Sequence, residues 1–124
     1  SGIHYYGSSL VLGDEVKLRH YFKLDSGRDI SNYSFATYVG GDMIGYATPC
    51  RSKDKDMYYI EVTCTNRNFF SGMRTIVSNG NTETILDYQP MNYIAKAYGS
   101  SKLTSELKTL LDAMYLYGEA AMKI

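Results

Sequence analysis

The feature that most constrains the fold is the run from Glu15 to Leu24, in which apolar and polar side chains alternate. Successive side chains of a β-strand point to opposite faces, so a period of two is typical of a strand that is buried on one side. The buried face of such a strand requires further strands to pack against it. One face carries Val16, Leu18, His20, Phe22 and Leu24, and the other carries Lys17, Arg19, Tyr21 and Lys23.

Shorter runs of strand-forming residues follow, and turn residues separate them. The sequences Gly40-Gly41-Asp42 and Asn79-Gly80 indicate hairpins, because Gly and Asn tolerate the positive φ that a type I′ turn demands. Turns at this spacing, without helical segments between them, are typical of an antiparallel sandwich. The sequence therefore predicts six or seven strands between about residues 8 and 88, in the runs 9–12, 15–24, 33–39, 43–48, 57–65, 73–78 and 82–88.

The pattern changes after Gln89. Pro90 is tolerated in the first turn of a helix and Gly99 is typical of a helix end, so a short helix is predicted over about 90–98. The predicted fold class is mainly β with C-terminal α: an antiparallel β-sandwich, capped by this helix and a longer C-terminal helix, as a single module over 1–124. The longer helix is predicted over about 104–123 from one apolar stripe, which contains Leu107, Leu110, Leu111, Met114, Tyr117 and Ala121.

Composition narrows the classes of function. The chain holds 13 Lys plus Arg and 13 Asp plus Glu, so its formal net charge is zero. Binding to nucleic acid or to an anionic membrane surface draws on excess positive charge, which this chain lacks. No apolar run approaches the roughly 20 residues that a membrane-spanning helix needs. We therefore predict no nucleic acid partner and no membrane insertion.

A single pair of cysteines, Cys50 and Cys64, leaves two interpretations open. Cys64 shares the face of Ile60 and Val62 in its predicted strand, so we expect it to point into the core. If the two segments pair as neighbouring strands, a disulfide between Cys50 and Cys64 would stabilise the fold by about 3 kcal/mol. The alternative is two free thiols that behave as small apolar residues. Because there is no Cys/His cluster, the sequence predicts no metal site and no cofactor.

Few residues are candidates for catalysis. Nucleophilic catalysis needs a base beside a Ser or Cys, and the two histidines are His4 and His20. His4 lies in a terminal segment that we expect to be loose, and His20 lies on the core face of the first long strand. Asp54 and Asp56 could hold calcium, but their loop lacks the Gly and Glu of a calcium-binding loop and carries lysines that repel a cation. We therefore predict that the chain is not an enzyme.

Tyrosine is the unusual part of the composition, with 13 Tyr, 4 Phe and no Trp. A tyrosine has an apolar ring and a polar tip, which suits strand surfaces as well as contacts with sugars or proteins. Tyr21, Tyr38 and Tyr59 lie opposite the apolar faces of their strands, so neighbouring strands would bring them together beside Arg19 as an outward platform. The simpler interpretation, favoured by the strand preference of tyrosine, is that these rings only cover the sheet. A platform could also include Tyr46 or Tyr58.

Both ends of the chain resemble a known kind of module. Residues 87–94 (DYQPMNYI) and 107–121 (LKTLLDAMYLYGEAA) are similar to the endings VxDYAxYIL and LVKAMLNYGAAAQxYF, and residues 7–22 (GSSLVLGDEVKLRHYF) resemble the opening GASLxLxxxIxLxFY. These motifs recur in modules of large secreted and surface proteins of anaerobic Clostridia-type gut and rumen bacteria. The resemblance covers nearly the whole chain, more loosely in the middle, and its motifs are structural rather than catalytic.

The resemblance implies a β-sandwich with a C-terminal helical hairpin, one module of a longer multidomain exported protein that is extracellular or held at the bacterial cell surface. The expected function is that of a non-catalytic structural or protein-interaction module. Its partners would be neighbouring domains of the same polypeptide or another surface protein. The alternative is a carbohydrate-binding module that binds a polysaccharide through the platform of Tyr21, Tyr38, Tyr59 and Arg19.

Overall fold

The fold is built from antiparallel strands. The computed structural model describes residues 2–12, 14–53, 57–65, 68 and 71–93. A 3₁₀ turn spans Ile30–Asn32. The strands are β1 (Ile3–Leu12), β2 (Val16–Leu24), β3 (Ser34–Val39), β4 (Asp42–Tyr46), β5 (Cys50–Arg51), β6 (Met57–Cys64), β7 (Met73–Ser78) and β8 (Glu83–Tyr88). They form two sheets of four strands, with the orders β1-β2-β6-β5 and β4-β3-β7-β8.

The first sheet is organised around β2, which pairs with β1 on one side and with β6 on the other. The predicted alternation is confirmed: every second residue from Val16 to Phe22 is buried, and the residues between them are partly exposed. In β6 the residues Ile60, Val62 and Cys64 are buried in the same way. The two strands therefore present one continuous apolar face to the second sheet.

The second sheet contains the β3–β4 hairpin, in which Val39 pairs with Asp42. The two residues between them, Gly40 and Gly41, have φ values of 58° and 90°. A type I′ turn needs positive φ at both central positions, and glycine adopts it without a steric penalty. The hairpin predicted around these glycines is confirmed.

The β7–β8 hairpin is also confirmed, but its turn is displaced by one residue. The N–H of Asn79 donates to the carbonyl of Thr82 over 3.2 Å, which leaves Gly80 and Asn81 at the centre of the turn. Asn79 contributes through its side chain instead, because its Oδ1 accepts from the N–H groups of Asn81 and Thr82 at 2.9 and 2.8 Å. The positive φ of this turn, 92°, belongs to Gly80.

The core lies between the two sheets. Phe22 of β2 contacts Phe35 of β3, with ring centroids 5.5 Å apart, and so joins the first sheet to the second. Burial of one such side chain is worth about 1.5–3 kcal/mol, so this contact between the sheets stabilises the fold. One cluster contains Ile3, Phe22, Tyr33, Phe35, Ile60 and Val77, and the other contains Val16, Leu18, Val62, Cys64, Met73 and Tyr88.

The described fold differs from the prediction in three respects. It has eight strands rather than six or seven, because the two-residue β5 was not predicted. The first strand begins at Ile3, not near residue 8. Residues 90–93 are helical, in agreement with the start of the predicted short helix. The remainder of that helix and the whole of the longer one, 104–123, lie outside the described residues. In the described ranges, no helix has the length and apolar character to cross a membrane.

Candidate functional site: the outer faces of the two sheets

Tyr21 and Tyr59 lie side by side on the outer face of the first sheet. They are paired across β2 and β6, and their ring centroids are 5.6 Å apart with planes tilted by 50°. Tyr21 lies between two buried residues of β2, and Tyr59 directly precedes the buried Ile60 of β6. Cross-strand aromatic pairs stabilise a sheet surface. The structure thus brings together two of the three predicted platform tyrosines.

Arg19 covers one face of the Tyr59 ring, with its guanidinium carbon 4.4 Å from the ring centroid. Its Nη2 also lies 2.8 Å from Glu61 Oε1, and Lys17 Nζ lies 3.5 Å from Glu61 Oε2. Burial acts to raise the pKa of Glu61, but the hydrogen bond and charge of Arg19, together with Lys17, outweigh it and hold that pKa below its usual range. The carboxylate is therefore satisfied within the chain, and Tyr59 has a ring face that is already occupied.

The expectation of a three-tyrosine platform is wrong for Tyr38. Tyr38 belongs to β3, which lies in the second sheet between β4 and β7, so its ring cannot lie beside Tyr21. The alternation within a strand assigns a side chain to a face of its own sheet but does not say which sheet that is. Tyr46 also belongs to the second sheet, in β4. Tyr58 lies in β6 but pairs with the buried Phe22, so it belongs to the core side.

Tyr6 supplies a ring that the sequence reasoning missed. The register of β1 against β2 shifts at this residue, so Tyr6 is the extra residue of a β-bulge. It is 63% exposed, and Lys23 Nζ lies 4.4 Å from its ring centroid. The sequence did contain a signal for the bulge. Ile3 and Leu10 both pack against the core, yet an odd number of positions separates them, which a regular strand does not allow.

A shallow cleft opens between the rings of Tyr6 and Tyr21, and we call it the Tyr6–Tyr21 cleft. Gly7 lies between them, paired with Tyr21 across the two strands. A Cβ at Gly7 would meet no atom within 4 Å beyond its chain neighbours, so the space above this backbone is open. The cleft has a volume of about 360 Å³, and the described residues that line it are Tyr6, Gly7, Ser8, Tyr21, Ser52 and Met57.

The outer face of the second sheet carries a row of apolar residues that crosses all four strands, and we call it the apolar face. The register places Tyr46, Ala36, Ile76 and Ile85 beside one another in β4, β3, β7 and β8. Tyr46 is 70% exposed and Ile85 is 54% exposed, so both ends of the row face solvent. Contiguous exposed apolar surface on a globular domain marks a site of contact with another molecule.

An ion pair borders the apolar face. In the next row of the sheet, Tyr38 pairs with Arg74, and Arg74 donates to both carboxylate oxygens of Asp87 at 2.7 and 3.2 Å. This contact raises the pKa of Arg74 and lowers that of Asp87. A cavity of about 620 Å³ is lined in part by Tyr38, Ile76 and this pair. An apolar centre with a polar border is the usual arrangement of a protein–protein contact surface.

A polar chain joins Tyr5, Ser8 and His20 at the edge of the core. Ser8 Oγ lies 2.6 Å from His20 Nδ1, and the Tyr5 hydroxyl hydrogen-bonds to Ser8. A hydroxyl beside an imidazole is the arrangement that nucleophilic catalysis needs. Burial, however, lowers the pKa of His20 to about 4, which makes it a weak base at neutral pH. Its Nε2 has no hydrogen-bond partner among the described residues, so the carboxylate that orients a catalytic histidine is not found there.

Two other expectations from the sequence concern His4 and the acidic pair Asp54 and Asp56. The expectation that His4 lies in a loose segment is wrong. His4 belongs to β1 and pairs with Lys23 of β2, and its Nε2 lies 2.9 Å from Asp25 Oδ1. Asp54 and Asp56 lie outside the described residues. Within the described part of the chain, no group of three or more His, Cys, Asp or Glu side chains is placed to hold a metal ion.

The disulfide between Cys50 and Cys64 is not formed. Cys50 is exposed and Cys64 is buried, as the strand pattern predicts for Cys64, and both are free thiols. Cys50 pairs with Tyr59, which is five positions from Cys64 along β6. At about 3.3 Å per residue this is about 16 Å, whereas the Cα atoms of a disulfide are usually about 4.4–6.8 Å apart. Burial raises the pKa of Cys64 to about 11.

No family model, curated protein or solved structure matches the chain. Function is therefore inferred from the two outer faces. The first sheet presents tyrosine rings, ion pairs and a cleft, and the second presents an apolar row with a charged border.

Proposed function

We propose that the chain is a non-catalytic module of a larger exported protein and that it binds a protein partner through the apolar face. The partner is a neighbouring domain of the same polypeptide or another surface protein. The observation that carries the proposal is the unbroken row from Tyr46 to Ile85. An antiparallel sheet with one face in water normally carries polar side chains on that face, so this row is the exception that calls for a partner.

The row has the composition of a contact surface. Ala36 at its centre is only 7% exposed because its neighbours shield it, whereas Tyr46 and Ile85 project into solvent. Full burial of an isoleucine is worth about 1.5–3 kcal/mol, so covering the half-exposed Ile85 contributes about 1 kcal/mol. Tyrosine is enriched among the residues that dominate binding energy at protein interfaces. Arg74 and Asp87 would then form part of the polar rim.

The non-catalytic assignment is supported by the weak basicity of His20, which is the only histidine with a hydroxyl partner among the described residues. The exported location is supported by the resemblance of both chain ends to modules of secreted and surface proteins. A module of this kind would contribute contacts between domains rather than chemistry.

The test measures whether position 85 is covered in the native assembly. A thiol is introduced as Ile85→Cys in a Cys50→Ser background, and its labelling by a membrane-impermeant maleimide is timed. In the isolated module it should react rapidly. In the intact polypeptide on the cells that export it, the reaction should be at least tenfold slower. Ser9→Cys in the same background is the matched control, since Ser9 is exposed on the first sheet, outside the Tyr6–Tyr21 cleft, and should react equally fast in both settings.

Equal labelling rates of Ile85→Cys in the two settings would refute the proposal, because they would show that nothing covers the apolar face. Slower labelling of both variants would also count against it, because general shielding by the cell surface would then explain the result.

A further inference from the structure

We propose that the Tyr6–Tyr21 cleft binds a single neutral sugar ring of a glycan. This site lies on the first sheet, whereas the apolar face belongs to the second, so the two can be occupied independently. It differs from the platform suggested by the sequence in using Tyr6, which the bulge places there, in place of Tyr38 and Tyr59.

The shape of the cleft fits a flat ring. Gly7 has no side chain, and the space above it is open between the rings of Tyr6 and Tyr21. A sugar ring has C–H groups on its broad faces and hydroxyls around its edge, so it stacks its faces on aromatic rings and directs its edge to water and polar groups. The volume of 360 Å³ is at the lower end of the about 300–1,000 Å³ typical of small-molecule sites.

The walls of the cleft are held in place by the protein itself. Tyr21 contacts the Tyr59 ring at 5.6 Å, and a hydrogen bond from Arg19 to Tyr21 raises the pKa of Arg19. Tyr6 is held by Lys23, whose Nζ lies 4.4 Å from the ring centroid. Side chains that are ordered before binding lose less entropy when a ligand arrives.

The lining indicates the chemical class of the ligand. Among the described residues that line it, none is charged, which favours a neutral ligand over an acidic one. Ser52 contributes a hydroxyl, and its N–H donates to the Met57 carbonyl at 2.9 Å, which holds Ser52 beside the start of β6. Because the cleft is shallow, a wholly apolar ligand would leave much of its surface in water. The part of a sugar ring that stays outside the cleft carries hydroxyls, and these remain hydrated at no cost in free energy.

The test uses native electrophoresis of the chain through gels that contain one soluble polysaccharide each: mixed-linkage β-glucan, neutral arabinoxylan, galactomannan or anionic polygalacturonate. At least one of the three neutral polymers should retard the protein. Tyr6→Ala and Gly7→Val should each weaken this binding about tenfold, the first by removing a stacking ring and the second by filling the cleft. Gly7→Val should leave the unfolding temperature nearly unchanged, because valine suits a strand and its Cβ meets no clash.

Tyr46→Ala is the matched control, because Tyr46 is an exposed tyrosine of the second sheet and its loss should not change the retardation. The proposal is overturned if no neutral polymer retards the chain, if retardation survives Gly7→Val, or if Tyr46→Ala abolishes it. Retardation by polygalacturonate alone would overturn it as well, since that result would indicate binding by surface cations. None of these outcomes bears on the apolar face, which the maleimide experiment tests separately.

Discussion

The buried imidazole of His20 should make the fold sensitive to mild acid. The side chain is fully buried, with the Tyr88 ring 4.3 Å away and Ser8 on its Nδ1. Burial lowers its pKa from 6.5 to about 4 in the folded state. As the pH falls, the unfolded chain therefore binds the proton first, so stability that is fully present above about pH 6.5 is lost progressively down to about pH 4. The difference between 6.5 and about 4, about 2.5 pKa units, corresponds to a loss of about 3 kcal/mol in the free energy of unfolding.

The assay is urea unfolding followed by tyrosine fluorescence, at pH steps across this window, for the natural chain and for His20→Leu. Leucine does not titrate, and Ser8 keeps its hydrogen bond to Tyr5. The free energy of unfolding of the natural chain should fall more steeply than that of the variant, by up to about 1.4 kcal/mol per pH unit. Acidic groups such as Glu61 titrate in both proteins, so their contribution cancels. Parallel pH dependences would refute the reasoning.

Two further predictions concern the hairpin turn and the thiols. Gly41→Val should lower the free energy of unfolding, measured in urea, by more than about 1 kcal/mol, because valine disfavours the φ of 90° found there. Gly7→Val is the control, since Gly7 has no positive φ to overcome. Similar losses of unfolding free energy in the two variants would contradict this explanation. Iodoacetamide should modify the native chain at Cys50 alone, and it should reach Cys64 only after denaturation, without any reductant, because Cys50 is exposed and Cys64 is buried. Mass spectrometry would count the adducts, and two adducts on the native chain, or none, would disagree with the structure.

The individual strands were predictable because their signal is local. The alternation from Val16 to Phe22 defines a buried face without reference to any other part of the chain, and the structure confirms it. The glycines at 40 and 41 likewise identify a hairpin from two positions, because few other residues adopt positive φ at both. Boundaries were less predictable: the two-residue β5 is defined by its pairing with β6, not by a pattern of its own.

The candidate site was only partly predictable because it depends on which strands are neighbours. Tyr21 and Tyr59 were correctly placed on outer faces, and β2 and β6 happen to be adjacent. Tyr38 obeys the same alternation but lies in the other sheet, and no pattern within β3 reveals that. The same limit applies to Cys50 and Cys64, whose strands are paired in a register that keeps the thiols apart.

Because of the bulge in β1, the fold places little constraint on which residue occupies position 6. Tyr6 is the extra residue of β1, so it has no partner in β2, and every pair on either side of it is already made without it. The identity of this residue can therefore change with little effect on the alternation that packs Ile3 and Leu10 against the core. A single codon could thus alter what the Tyr6–Tyr21 cleft holds, and related chains could acquire different ligand preferences by drift at this position while their sandwich stays the same.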